Sequence, residues 1–276
     1  MITLLLACGP TPPPTVDATS VCEAFTALDR TEVVWSGDSD TCDPGTADGV
    51  ERASDLFDLA RVMVGLEPVP LDPAASVAAQ ECALLLHAND ALSHEPPSDW
   101  ACWTEARADA AESSLLASGP LVLAAPGFLV DPGNEDTLGH RRWILSNRVQ
   151  AFGFGSTDAY SCISLVEEAE EGRQWTAWPP PGPVPRAMLE AYGVSVDEVG
   201  WSIQSDVIDL PALTVQVSLD GADPVTVDTV ALPGGFGSVS AIRFGAPGWS
   251  AADRIRVQAD GGDISIAYEV VPVDCP

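Results

Sequence analysis

The chain reads as an α+β protein, helices first and strands after, and three observations carry that reading. Apolar residues recur at helical spacing at Leu56, Leu59, Ala60, Met63 and Val64. They alternate with polar residues at a period of two in runs from Leu213 to Val271, which predicts a small antiparallel β-sandwich. Between these regions lies Pro179-Pro180-Pro181-Gly182-Pro183, a segment expected to interrupt both helix and sheet and so to mark a domain joint. With 276 residues, 46% of them hydrophobic and 8 of them Trp, the chain is long enough for two compact units.

The elements follow in order. Residues 9–47 are turn-rich and polar apart from Val33-Val34-Trp35, and read as a tether and N-terminal extension closed by a disulfide. The first helix carries Leu56 to Val64 and stops at Gly65. Asp72-Pro73 opens a second helix, with a capping carboxylate and proline in the first turn, that extends to Asn89. A third is expected from Thr104 through Leu116, and a fourth from Leu138 to Leu145, capped by Asp136 or Thr137. Strands follow at 149–155 and 160–166. Beyond the proline segment they recur at 213–219, 225–231, 240–244, 254–258 and 264–271, with Asp220-Gly221 and Gly261-Gly262 as turns.

The formal charge is −29, from 41 acidic residues against 12 basic ones, and every basic residue is arginine. Phosphate binding needs clustered positive charge, so nucleic acid is excluded as an expected partner. Anionic lipid head groups are repelled for the same reason. No stretch approaches the roughly 20 apolar residues of a spanning helix.

The chain opens on a short apolar run ending Leu5-Leu6-Ala7-Cys8, similar to a bacterial lipobox. That resemblance implies residues 1–8 are a signal remnant, Cys8 the lipid-carrying residue, and Gly9 to Thr15 an extended tether. Lipid would then be the membrane anchor, and the protein exported: envelope-bound or extracellular. Removing Cys8 from seven cysteines leaves six, Cys22, Cys42, Cys82, Cys102, Cys162 and Cys275. None forms a Cys-x-x-Cys pair, which favours structural disulfides in an oxidising compartment. Pairing by proximity gives Cys22–Cys42, Cys82–Cys102 and Cys162–Cys275; sequence leaves the connectivity open.

Five motifs fall in order between Arg61 and Gly155: Arg61-x-x-x-Gly65-Leu66 with Pro68 and Asp72; Ala79-Gln80-x-Cys82-Ala83; Leu92-Ser93-His94; Ala111-Glu112-Ser113; and Gly139-His140-Arg141-Arg142-Trp143-Ile144-Leu145 before Phe152-Gly153-Phe154-Gly155. This stretch resembles the bacterial CAP domain shared by cysteine-rich secretory, antigen-five and pathogenesis-related proteins. The resemblance implies a CAP-type α-β-α sandwich over residues 48–174, to which the proline segment adds a joint at 175–200 and the period-two pattern a β-sandwich at 201–276. It implies a cleft lined by His94, Glu112 and His140. A serine, Ser113, stands where the family has asparagine, and Asp131 is the nearest candidate for its second glutamate.

Two imidazoles and a carboxylate are chemically able to bind a divalent metal such as zinc, with His94 and His140 as ligands, or to polarise a water. Each residue also has a structural reading. His140 near a helix start can satisfy a free backbone group; His94 before Glu95-Pro96-Pro97 suits a turn; Glu112 beside Glu105 and Asp109 suits a solvated face. His87 suits a satisfied helix position, Arg61 an ion pair, and Trp100, Trp103 and Trp143 packing. The expected function is binding of a small molecule, lipid, glycan or envelope protein without catalysis. A metal-dependent hydrolase with Glu112 as base, and adhesion or scaffolding through the C-terminal sandwich, are the alternatives. No Gly-x-Ser-x-Gly, His-Glu-x-x-His or phosphate loop is present.

Overall fold

A computed structural model describes residues 16–168 and 172–276. Cys8 and the tether to Thr15 lie outside the described residues. Helix α1 (Ala18–Thr26) is capped by Asp17, which accepts from the Thr19 and Ser20 amides at 3.0 and 3.1 Å. Strands β1 (Val34–Trp35) and β2 (Ala47–Asp48) pair, and α2 (Ala53–Met63) ends at Gly65, whose φ of +80° suits a residue without Cβ. Helix α3 (Pro73–Asn89) starts where the sequence signals it, with Asp72 accepting from the Ala75 amide at 2.7 Å. Then come α4 (Glu105–Ser113), β3 (Ser114–Ser118), α5 (Leu121–Val130), α6 (Gly139–Ile144), β4 (Val149–Ser156) and β5 (Tyr160–Glu167).

Two of these differ from expectation. The helix expected to reach Leu116 stops at Ser113, and the next five residues pair with β5, Ser114 opposite Ser164 with their hydroxyls 2.9 Å apart. Sheet pairing overrides the helical spacing there. Helix α5 gives no periodic signal because it is apolar nearly all round and contains Pro126 and Gly127; it is buried on almost every face.

The sheet order β3-β5-β4 is antiparallel throughout. Its faces are set by Phe152-Gly153-Phe154-Gly155, since successive side chains point to opposite sides of a strand. A Cβ on Gly153 would lie 2.1 Å from the Ala75 carbonyl carbon, and one on Gly155 2.1 Å from that of Ala79, so α3 lies directly on the glycine face. On the other face Phe152 and Phe154 each pack 5.9 Å from Phe57 of α2, which meets Phe128 of α5 at 6.3 Å. Helices therefore cover both sides of a three-stranded sheet.

The C-terminal half contains β6 (Thr176–Trp178), β7 (Gly182–Pro185), β8 (Glu190–Ala191), β9 (Val194–Ser195), α7 (Val196–Val199), β10 (Trp201–Ser205), β11 (Thr214–Leu219), β12 (Val225–Val227), β13 (Thr229–Leu232), β14 (Ser240–Phe244), β15 (Ile255–Gly261) and β16 (Ile264–Val273). They form one sheet in the order β13-β14-β10-β6, another in the order β12-β11-β15-β16-β7, and a two-stranded pair β8-β9. Pairing is antiparallel except between β7 and β16. The run expected as one strand at 225–231 is two, parted at Asp228, each in a different sheet. The proline segment was expected to escape pairing, yet Gly182–Pro185 pairs with Val270–Val273. Proline lacks a donor but keeps its carbonyl, and such a strand is tolerated at the edge position β7 occupies.

Inward residues of both sheets, among them Trp178, Trp201, Val257 and Tyr268, belong to one apolar cluster that continues through Phe57 and Phe128. Arg141 of α6 also joins the halves: its guanidinium donates to the Leu129 and Val130 carbonyls on one side and to the Gly200 carbonyl and Ser202 hydroxyl on the other.

Three disulfides are present, Cys22–Cys275, Cys42–Cys102 and Cys82–Cys162, and these correct all three proximity pairings. A cysteine on a helix reaches only what that helix face packs against. Cys82 on α3 faces β5 and meets Cys162, leaving Cys102 to meet Cys42. Cys22 on α1 bonds the last cysteine of the chain, so the N-terminal extension is not closed on itself. Three bridges are the mark of a protein folded in an oxidising compartment, that is, exported. No helix among the described residues is long and apolar enough to cross a membrane.

Candidate functional site

The cleft is assembled from separated segments. His94 sits in the loop after α3, where its Nδ1 lies 3.0 Å from the Ala111 carbonyl near the end of α4. Glu112, exposed, is in the last turn of α4. His140 is the second residue of α6. These three side chains, with Asn134, Thr137, Trp143, Glu167 and Phe236, line a cleft of about 390 Å³.

Asp131 is 1% exposed and anchors the site from the C-cap of α5, in the left-handed conformation at φ +64°. Its Oδ1 lies 3.0 Å from His140 Nδ1 and accepts from Asn134 Nδ2 at 2.8 Å; its Oδ2 accepts from the Arg141 amide at 3.2 Å. His140 Nδ1 also lies 3.1 Å from Asn134 Nδ2, so that edge of the ring is held between an amide and a carboxylate. Phe128 holds the ring edge-on at 5.0 Å. Asp131 therefore orients His140, and both line a second cleft of about 630 Å³ that His94 and Asn134 share. Leu116, Ala124, Phe128 and Tyr192 are among the apolar residues that line this second cleft.

Partial burial raises the Glu167 carboxyl above the ordinary carboxylate range, with Arg148 pulling the other way. Arg148 is itself bound to Asp206 at 2.7 Å. Of the serines lining the clefts, Ser113 donates to the Asp109 carbonyl, Ser114 pairs with Ser164, and Ser93 accepts from the Glu95 amide. No serine–imidazole pair forms among the described residues.

Nor, among them, does any group of three or more His, Cys, Asp or Glu side chains have an arrangement suited to a metal ion. A catalytic zinc needs three protein ligands. Among the described residues the His94–His140 pair has no third such ligand beside it.

The remaining side chains singled out in the sequence act structurally. Arg61 forms no ion pair among the described residues; it donates to the Glu67, Ile144 and Ser146 carbonyls, and burial pulls its pKa down to about 10. His87 lies 4.7 Å from Trp35 and 3.4 Å from Asp158. Among the cleft residues, sequence reasoning missed Asn134, Glu167, Tyr192 and Phe236. Phe236 had a signal: a lone aromatic within Gly234-Gly235-Phe236-Gly237 is a side chain presented by a turn. Its loop is fixed by Arg142, which donates to the Pro233 carbonyl and to Ser238, and by Ser146, which donates to the Gly237 carbonyl. Tyr192 lies over Gly127 of α5, where a Cβ would come within 2.6 Å of its ring.

No protein-family model matches the chain, and neither a curated protein nor a solved structure is significantly similar to it.

Proposed function

We propose that the chain is an exported CAP-type protein, lipid-anchored to the bacterial envelope through Cys8, whose cleft holds a ligand without transforming it. The observation that carries the reading is the convergence of His94, Glu112 and His140 from three separate elements on one open cleft. Two further features support it. Helices lie on both faces of a three-stranded sheet, as in an α-β-α sandwich, and a buried carboxylate orients one histidine. Binding is favoured over hydrolysis because, among the described residues, no hydrogen bond joins a cleft serine to either imidazole and no three-ligand set surrounds the histidines.

Ligands that bind the native state raise its melting temperature, by an amount that grows with the logarithm of ligand concentration over Kd. A panel of lipids and glycans is therefore expected to contain compounds that stabilise the parent chain but not an Ala117→Trp variant, whose indole fills the second cleft. Equal stabilisation of both proteins would place the ligand elsewhere, and no stabilisation by any class, peptides included, would end the binding reading.

A further inference from the structure

The two clefts are continuous, and their shared floor is a strand edge. Residues 112–115 line the first and 116–118 the second, so every consecutive residue from Glu112 to Ser118 contributes. Alternate side chains of a strand point to opposite faces. A hollow over one face would therefore touch every second residue, whereas one touched by all of them runs along the edge. Strand β3 is an outer strand of its sheet, paired with β5 on one side. The opposite edge, that of β4, is covered: Phe152 exchanges backbone hydrogen bonds with Pro70 and Asp72 at 3.0 and 2.8 Å. Among the described residues no backbone hydrogen bond covers the free edge of β3 in the same way.

We infer that this groove accepts an extended peptide as an added strand along β3, with a lysine or arginine side chain in the first cleft and an apolar side chain in the second. An open strand edge offers unpaired donors and acceptors at the spacing of another backbone, and flanking pockets supply side-chain selectivity. Five residues of strand span roughly 17 Å, enough for a peptide of about five residues.

The chemistry of the walls sets the order. The first cleft presents Glu112 and Glu167 beside the rings of Trp143 and Phe236, and no arginine lines either cleft. Carboxylates and aromatic faces both favour a cationic side chain, within a chain of net charge −29. Arg142 stands 5.8 Å from the Phe236 ring centre with its donors bound to the Thr137, Pro233 and Ser238 oxygens, and Arg148, which acts on Glu167, is paired with Asp206 at 2.7 Å. The second cleft is lined in part by Leu116, Ala124, Phe128 and Tyr192, which suit an aliphatic side chain two residues along.

The inference rests on the cleft being a ligand site. Fluorescence anisotropy at physiological salt with a labelled, end-blocked heptapeptide Ser-Thr-Lys-Val-Leu-Thr-Ser tests it on the intact chain. Saturable binding is expected, weakened about tenfold when alternate backbone amides are N-methylated and by a similar factor when the lysine is replaced by glutamate. Phe236→Ala should weaken the lysine peptide by about fivefold while leaving the glutamate peptide unchanged. N-methylated and parent peptides binding alike would overturn strand addition, because their charge is identical. Glutamate and lysine peptides binding alike would overturn the assignment of the first cleft. Absence of peptide binding, with lipids or glycans still stabilising the parent but not Ala117→Trp, would overturn the inference and leave the binding reading standing.

Discussion

Asp131 is the residue on which most of the site depends. Its carboxylate is buried, accepts from the Asn134 side-chain amide and the Arg141 backbone amide, and lies 3.0 Å from His140 Nδ1. Asp131→Ala leaves buried donors without an acceptor and puts alanine at φ +64°, and should cost about 2 to 4 kcal/mol in urea denaturation. Asp131→Asn keeps one acceptor and tolerates the left-handed backbone, so roughly half that loss is expected. Tyr268 is the opposite case. Its hydroxyl is fully buried without a protein partner, and burial raises its pKa far above the ordinary phenol value. A phenol whose folded pKa is raised keeps its proton where the unfolded chain would lose it, so stability is intact below about pH 10 and falls as pH rises beyond it. Tyr268→Phe should therefore be neutral or stabilising by about 1 kcal/mol at neutral pH and should flatten the alkaline decline, measured as urea midpoints across pH. At this scale the sequence exposed His94, Glu112 and His140 through their motifs, but not that Arg141 and Arg142 would be buried, since a charge reads as surface until its acceptors are seen.

Among the elements, the contact of α3 with β4 is the tightest requirement. Gly153→Ala and Gly155→Ala each drive a Cβ into helix backbone that has no flexible end to yield. Each should destabilise by about 3 kcal/mol or more, read as a shift in urea midpoint, whereas Gly119→Ala, with open space around its Cβ position, should lose only what its φ of +91° imposes. The helix starts at Asp72 and Thr104 were legible because a cap is a local signal: one side chain and one amide three residues on. β3 and α5 were not, for a common reason. Ser114 to Ser118 becomes a strand through β5, whose first residue lies more than forty positions later, and α5 carries no polar face because almost all of it is inside. The floor of the proposed peptide groove thus lies in a segment whose structure is decided at long range.

For the whole molecule, the six paired cysteines were legible as a set and illegible as pairs, because connectivity is settled by packing. Cys22–Cys275 closes a separation of 253 residues, against 60 for Cys42–Cys102. Chain entropy rises with the logarithm of loop length, so the Cys22→Ser, Cys275→Ser protein should lose up to about 5 kcal/mol, roughly 1 more than the Cys42→Ser, Cys102→Ser protein in the same denaturation assay. The Pro-rich stretch misled at this scale too: read as a place where pairing ends, it carries strands of both C-terminal sheets. The same long bridge has a mechanical meaning. A pull on Pro276 passes from Cys275 straight through sulfur to Cys22, and tension between the two ends bypasses the sheets and helices between them. Drawn taut in a single-molecule experiment, the oxidised chain should release almost no length before its covalent bonds fail. Reduction should let it pay out roughly 850 Å of polypeptide.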